Sequence, residues 1–173
     1  MKKSIIIAVV LCLTLAFTGA AYALWAQDMN INGTVNTASF DVRFDSASSD
    51  DEGTTIDPGK PEHVAITTAS LDDIYTGKVL VNNAYPGYFS TSTFVIKNLS
   101  SIPVKITDVT VTNNSGGVLA LDDSGSVAEG TKIDSLGTAN VIIKNTVIDD
   151  PSVTVAPNTA YGYTIAVTAE QAQ

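Results

Sequence analysis

The stretch that decides the fold is LWAQDMNINGTVNTASFDVRF, which runs from Leu24 to Phe44. Its first half alternates as a strand does, because Met29, Ile31 and Val35 share one face and polar side chains fill the other. Trp25 has the same parity as these three residues. A half-apolar strand must bury its apolar face, either in its own domain or in a neighbouring molecule.

A second alternating run follows at once. Phe40, Val42 and Phe44 point to one face, and Asp41 and Arg43 point to the other. This pattern predicts that the chain enters a β domain directly behind the first strand.

The residues before Leu24 have the three regions of an export signal in order. Lys2 and Lys3 are followed by the apolar run Ile5–Phe17 and by a small-x-small cleavage site at Ala21 and Ala23. We therefore predict cleavage after Ala23 and a secreted protein.

An uncleaved membrane anchor is the alternative for this segment. Ser4–Ala23 has nearly the length that a membrane-spanning helix needs, about 20 residues. Its apolar core is short, however, and the small residues that end it are typical of a cleavage site. The prediction is that no stable membrane insertion remains after processing.

Composition limits what the mature chain can do. Removal of 23 residues leaves 150 of 173, without the only cysteine, Cys12, so no disulfide stabilises the domain. Seven basic residues then face 18 acidic ones, a formal net charge of −11. Such a surface repels nucleic acid and anionic lipid.

The chain is rich in Val, Thr, Ile, Ser, Asn and Gly, and no segment keeps a helical apolar period. We predict an all-β, jelly-roll-like sandwich of about eight to nine strands in residues 37–173. It is preceded by a signal peptide in residues 1–23 and by a separate strand segment in residues 24–36.

Alternation and turn residues place the strands along the domain. The predicted strands are Val64–Leu71, Lys78–Asn83, Ser90–Asn98, Val104–Thr112, Ala139–Asn145 and Tyr161–Ala169, with shorter pieces around them. Asp45–Pro61 and Asn113–Leu136 are predicted loops, and Asn98–Pro103 is predicted to close a hairpin.

Two local features give sharper predictions. In Val104–Thr112 the apolar parity changes, which predicts a β-bulge near Thr107 and Asp108. Pro86 and Gly87 suit positions i+1 and i+2 of a type II turn.

Metal binding has one weak candidate, the acidic loop that contains Asp45, Asp50, Asp51 and Glu52. Its spacing does not match the loop that fixes calcium ligands, so a solvated loop is the preferred interpretation, and no cofactor is predicted. His63 is the only histidine, which leaves neither a zinc site nor a histidine-based catalytic triad. We predict that the protein is not an enzyme.

Three sequons for N-glycosylation occur, at Asn32, Asn98 and Asn113. A chain this rich in Asn, Ser and Thr contains several by chance. Asn32 would be a poor acceptor if its strand is buried between sheets.

Several short motifs together resemble the TasA and camelysin family of exported proteins. They are the signal ending at Ala23, the start Leu24–Asp28, the turn Gly33–Thr37, the block from Tyr85–Gly87 through Lys97–Val104, and the final turn and strand at Ala156–Asn158 and Tyr163–Ile165. The chain departs from the family pattern at Ala38, where Gly is usual, and at Ser100 and Ser101, where an Asn-Thr-Gly-like turn is more common.

The resemblance implies a subunit that leaves the cell through a dedicated signal peptidase and polymerises head-to-tail with itself into biofilm-matrix fibres, similar to archaeal bundling pili. In that family the amino-terminal strand of one subunit completes the sheet of the next. Mapped onto this chain, the polymerisation residues are Leu24, Trp25, Met29, Ile31 and Val35. From the residues alone, a first strand that pairs within its own sandwich stays open as the alternative.

Two other functions are alternatives to a fibre subunit. One is a monomeric, anchored surface domain that binds a polysaccharide or another ligand through exposed Tyr85, Tyr88 and Phe89. The other is a protease, since some camelysin-like relatives are described as metallopeptidases. The sequence has no His-Glu-x-x-His motif, so we set proteolysis aside.

Overall fold

The computed structural model describes residues 39–51, 57 and 64–172, together with Cys12. These residues contain nine strands. They are β1 Val42–Ser49, β2 Ile66–Leu71, β3 Thr76–Asn82, β4 Phe89–Asn98, β5 Val104–Asn113, β6 Leu119–Asp122, β7 Lys132–Ile133, β8 Thr138–Val147 and β9 Tyr161–Gln171.

The strands form two antiparallel sheets. Sheet A has the order β1-β4-β8-β6 and sheet B the order β2-β3-β9-β5-β7. Seven of the eight connections cross from one sheet to the other, and only β2 and β3 form a hairpin. The predicted all-β, jelly-roll-like sandwich of about nine strands is therefore confirmed.

The core lies between the sheets and follows the period of two that the sequence shows. On β4, alternate residues from Ser90 to Ile96 are buried, and on β9 Tyr161, Tyr163 and Ile165 face them. The fully or almost fully buried apolar side chains include Val79, Val81, Phe94, Ile96, Val104, Ile106, Val141, Ile143, Val147, Tyr163 and Ile165.

Most predicted strands are confirmed within two residues of their ends, and two predicted loops need correction. β1 runs to Ser49, into the predicted acidic loop, because a register shift between Phe44 and Ser46 carries the strand past Asp45. Asn113–Leu136 is not all loop, since it contains β6 and β7.

The predicted hairpin at Asn98–Pro103 is wrong. β4 belongs to sheet A and β5 to sheet B, so this segment carries the chain across the sandwich. A local turn signal between two apolar runs looks the same whether the second run returns beside the first or crosses to the facing sheet.

Both sharper predictions are confirmed. The register of β5 against β9 shifts between Ile106 and Asp108. At the Pro86-Gly87 turn, Gly87 has φ +81° and the Tyr88 N–H donates to the Tyr85 carbonyl at 3.1 Å, as a type II turn requires.

Candidate assembly surface

The predicted polymerisation residues Leu24, Trp25, Met29, Ile31 and Val35 lie outside the described residues, as do Asn32 and the cleavage residues Ala21 and Ala23. The described residues therefore contain only the surface that would accept a strand from another copy. A strand can be added only at the edge of a sheet, so the edges of the two sheets are the candidate surfaces.

One side of the sandwich, where β1 and β2 are the edge strands, is closed by main-chain hydrogen bonds. The Phe44 N–H donates to the Ile74 carbonyl at 2.8 Å, and the Thr67 N–H donates to the Asp51 carbonyl at 2.9 Å. Phe44, Thr67 and Ala69, which face inward here, are all buried. Beside these residues, the side chains of Ile74 and Tyr75 are exposed.

The opposite side is different. β5 pairs with β9 along its whole length, but on its other side it pairs with β7 only at Val104 and Lys105, and Ile106 bonds to residues 130 and 131. In the described part of the chain, no strand pairs with residues 107–113 on that side. We call these seven residues the open edge.

Hydrogen-bond phase shows which groups the open edge presents. The Asn114 N–H donates to the Gly162 carbonyl at 3.0 Å, and the register continues to Thr112 opposite Thr164. In an antiparallel ladder the direction alternates, so Val109 and Val111 direct their N–H and C=O groups away from β9. An extended chain could bond to them.

The inner side of the open edge is apolar and only partly covered. Val109 and Val111 on sheet B are half-buried, as are Leu121 and Val127 on the sheet A side, and all four pack against the core. On the β1–β2 side, Val42, Ala47 and Leu71 are half-buried against the core in the same way.

The other candidate surface, the aromatic turn, is less exposed than predicted. Tyr88 is buried, with Tyr85 packed edge-on against its ring at 5.5 Å between centroids. Phe89 is 62% exposed, and Lys144 lies over its ring at 5.1 Å. The predicted three-residue ligand platform is therefore corrected, because Tyr88 is part of the core.

Tyr88 belongs to a polar network that crosses the interior. Its hydroxyl donates to Asp51 Oδ2 at 2.6 Å and lies 2.9 Å from Thr67 Oγ1, which in turn contacts Ser90 Oγ at 2.6 Å. Ser90 then donates to Asn145 Oδ1 at 3.0 Å. Burial, followed by the hydrogen bond to Asp51, raises the pKa of Tyr88.

Tyr163 is the last residue of this network. Ionisation of its phenol predicts how the stability of the domain changes at alkaline pH. Burial raises its pKa from 10.0 to about 12. Between those values the unfolded chain loses the phenolic proton while the folded domain keeps it, so stability is complete below pH 10 and falls above it, by about 1.4 kcal/mol per pH unit for one group.

Urea unfolding at pH 8, 10 and 11 measures this fall, and Tyr163→Phe should make it shallower. The matched control is Tyr75→Phe, at a tyrosine that is 57% exposed. Equal slopes for wild type and Tyr163→Phe would contradict the assignment.

The acidic residues of the weak calcium candidate point to separate partners. Asp45 pairs with Lys97 Nζ at 3.6 Å, Asp50 accepts the Thr91 N–H at 2.7 Å, and Asp51 accepts from Tyr88. Across the residues that the structure describes, no three His, Cys, Asp or Glu side chains form a group that could hold a metal ion. Glu52 is outside that part, so the solvated loop stays the preferred interpretation and calcium binding the weak alternative.

Two of the three sequons have a structural use that the sequence analysis missed. Asn98 is fully buried, and its Oδ1 accepts the Ser100 N–H at 2.8 Å. Asn113 is exposed, but its Oδ1 accepts the Ser115 N–H at 3.0 Å and its Nδ2 donates to the Leu119 carbonyl at 2.8 Å. In the folded domain Asn98 is inaccessible to a glycosylating enzyme.

The signal for this role was in the sequence. Asp122-x-Ser124 and Asp150-x-Ser152 make the same bond, from the Ser N–H to the carboxylate two residues before it, at 3.0 and 2.8 Å. Asn or Asp followed by Ser at i+2 thus forms an Asx turn at four chain reversals in this domain.

No helix among the described residues is long and apolar enough to span a membrane. Comparisons of the chain with protein-family models, with curated proteins and with solved structures find no match. The family resemblance stays a prediction, and the function must be argued from the chain itself.

Proposed function

We propose that this protein is a secreted, non-enzymatic structural subunit that polymerises into extracellular filaments by donor-strand exchange. After export and cleavage behind Ala23, the segment of residues 24–36 in one copy adds a strand to the sandwich of another. The partner is therefore a second copy of the same chain, and signal peptidase acts only during export.

The observation that supports this proposal best is the open edge of β5. Within the described residues, no strand pairs with the main-chain groups of Val109 and Val111 that point away from β9, and the side chains of both residues are half-buried. Unpaired sheet edges are sites where another chain can pair, and proteins usually cover or blunt them. An added strand would gain hydrogen bonds from the main chain and specificity from alternate side chains.

The sequence supplies a strand of the right kind. Met29, Ile31 and Val35 alternate with polar residues and precede the first described strand. Burial of each such side chain contributes about 1.5 to 3 kcal/mol. The resemblance to the TasA and camelysin family points to the same assembly, with biofilm-matrix fibres as its product.

Ile31→Asp tests this proposal. A buried, unpaired carboxylate costs several kcal/mol, so assembly should weaken at least about a hundredfold. The measurement is filament yield by electron microscopy and by pelleting of purified secreted protein. The matched control, Asn30→Asp, places the same charge on the polar face and should assemble nearly as the wild type does.

If wild-type protein forms no filaments, the proposed function is wrong. If Ile31→Asp and Asn30→Asp assemble equally well, filaments form without burying the apolar face of this segment.

A further inference from the structure

We propose that the core of the sandwich contains a binding site for one water molecule, formed by Ser92 on β4, Asn145 on β8 and Tyr163 on β9. The site lies between the two sheets, because β4 and β8 belong to sheet A and β9 belongs to sheet B. This inference does not depend on the proposed function, since it concerns the folded domain of a single copy.

Two buried polar atoms support the inference. Ser92 Oγ and Asn145 Nδ2 are sealed from solvent, and neither has a hydrogen-bond partner among the residues that the structure describes. A buried polar group without a partner destabilises a fold, so most such groups bond either to the protein or to an ordered water molecule. These two atoms therefore indicate a ligand that is small, polar and internal.

The Asn145 amide uses its oxygen but not its nitrogen. Ser90 Oγ donates to Asn145 Oδ1 at 3.0 Å and contacts Thr67 Oγ1 at 2.6 Å, so the neighbouring part of the polar network is satisfied. Rotation of the amide by 180° exchanges its oxygen and nitrogen and leaves a polar atom at the same unpaired position. The need for a partner at that position is thus the same in both orientations.

Strand register places Ser92 and Asn145 at a distance that one water molecule can bridge. Asn145 lies opposite Ser90, and Ser92 lies opposite Ile143, so Ser92 is the diagonal neighbour of Asn145 on the inner face. Diagonal neighbours are about 7 Å apart. Two successive hydrogen bonds cover about 5.6 Å, and the two side chains extend toward each other across the remainder.

Tyr163 supplies a third polar group, from the facing sheet. Its hydroxyl lies 3.4 Å from Asn145 Oδ1, which is long for a hydrogen bond between two oxygen atoms. Burial raises the pKa of Tyr163, and Ser92 partly opposes that rise, so Ser92 lies beside the phenol even though its Oγ forms no hydrogen bond there. A water molecule among the three groups accepts from Asn145 Nδ2 and donates to Ser92 Oγ and Tyr163 Oη, and buried waters typically make about three such bonds.

The chemistry of the three side chains selects water over other ligands. The Asn145 N–H groups repel a cation, and none of the three side chains carries a charge that would balance an anion in the core. An apolar occupant would leave Ser92 Oγ and Asn145 Nδ2 unpaired. Water both donates and accepts, and it would connect β4 and β8 to β9 where the side chains alone do not.

A structure of the secreted protein at a resolution that shows ordered water tests this site, from crystals or from filaments. We expect one density peak within hydrogen-bond distance of both Ser92 Oγ and the Asn145 amide. Asn98 is the internal control, because it is also fully buried but its Nδ2 already donates to three carbonyl oxygens, so no peak is expected beside it. A map without density at the proposed site would overturn the inference.

Ser92→Val gives a second test, because its methyl groups replace the hydroxyl and occupy the place of the water. The density peak should disappear in this variant. The matched control is Thr93→Val, which also exchanges a hydroxyl for a methyl group but lies on the outer face of β4, and the peak should persist there. A peak that stays in place in Ser92→Val would overturn the site, and if that variant does not fold, the wild-type map decides. Neither test depends on whether filaments form.

Discussion

If the proposed function is correct, deletion of residues 24–32 should abolish filaments and leave a soluble monomer. The deletion removes the apolar donor positions up to Ile31, whereas every described strand begins at Val42 or later. The sandwich should therefore fold without the segment and lose only the strand that the proposal assigns to a neighbouring copy. Electron microscopy and sedimentation velocity measure the assembly state, and circular dichroism checks the fold.

A synthetic peptide of residues 24–36 provides the matching gain of function. It should bind the deletion variant at the open edge and raise its thermal midpoint, because a ligand that binds only the folded state stabilises it. The same peptide with Ile31→Asp should not do so. Filaments that persist after the deletion would contradict donor-strand exchange.

Replacement of Asn98 by leucine should strongly destabilise the described domain. Asn98 Nδ2 lies 2.9, 3.1 and 3.0 Å from the carbonyl oxygens of Ile102, Ile133 and Asp134, and its Oδ1 accepts the Ser100 N–H. Leucine would leave these groups without their partner in a buried site. We expect a loss of about 4 kcal/mol or more of unfolding free energy.

The matched control is Asn113→Leu. Asn113 forms the same Asx turn but is exposed, so water can replace its lost hydrogen bonds, and the expected loss is about 1 kcal/mol. Urea unfolding of both variants at pH 7 measures the difference. A loss below 1 kcal/mol for Asn98→Leu would show that this side chain does not join the β4–β5 connection to the β7–β8 connection.

The open edge could be predicted only in part. The parity change in β5 correctly placed the bulge, and it also determined that Val109 and Val111 face inward. The sequence did not reveal that β7 would be only two residues long, or that among the described residues no strand would pair with residues 107–113 on the side away from β9. Lys132 and Ile133 carry no signal that separates a short edge strand from a loop.

Asn98 shows the same limit in the polar part of the domain. As a motif, Asn98-Leu99-Ser100 predicts equally a glycosylation site or a turn. Its decisive partner, the carbonyl of Asp134, is 36 residues away along the chain. A local pattern cannot show such a contact, because the contact forms only when the end of β4 and the segment after β7 come together in the folded domain.

By itself, the sequence determined that the domain is all-β, where its main strands run, which face of each strand is buried, and where β5 bulges. These properties are local, since the alternation of apolar and polar side chains must match the strand period wherever the strand lies. Only the tertiary structure decided that β4 and β5 belong to different sheets, that β1 and β2 lie on the same side of the sandwich, and that among the described residues β7 pairs with β5 only at Val104 and Lys105. Pairing depends on the shape and burial of distant segments, and no stretch of the chain carries that information alone.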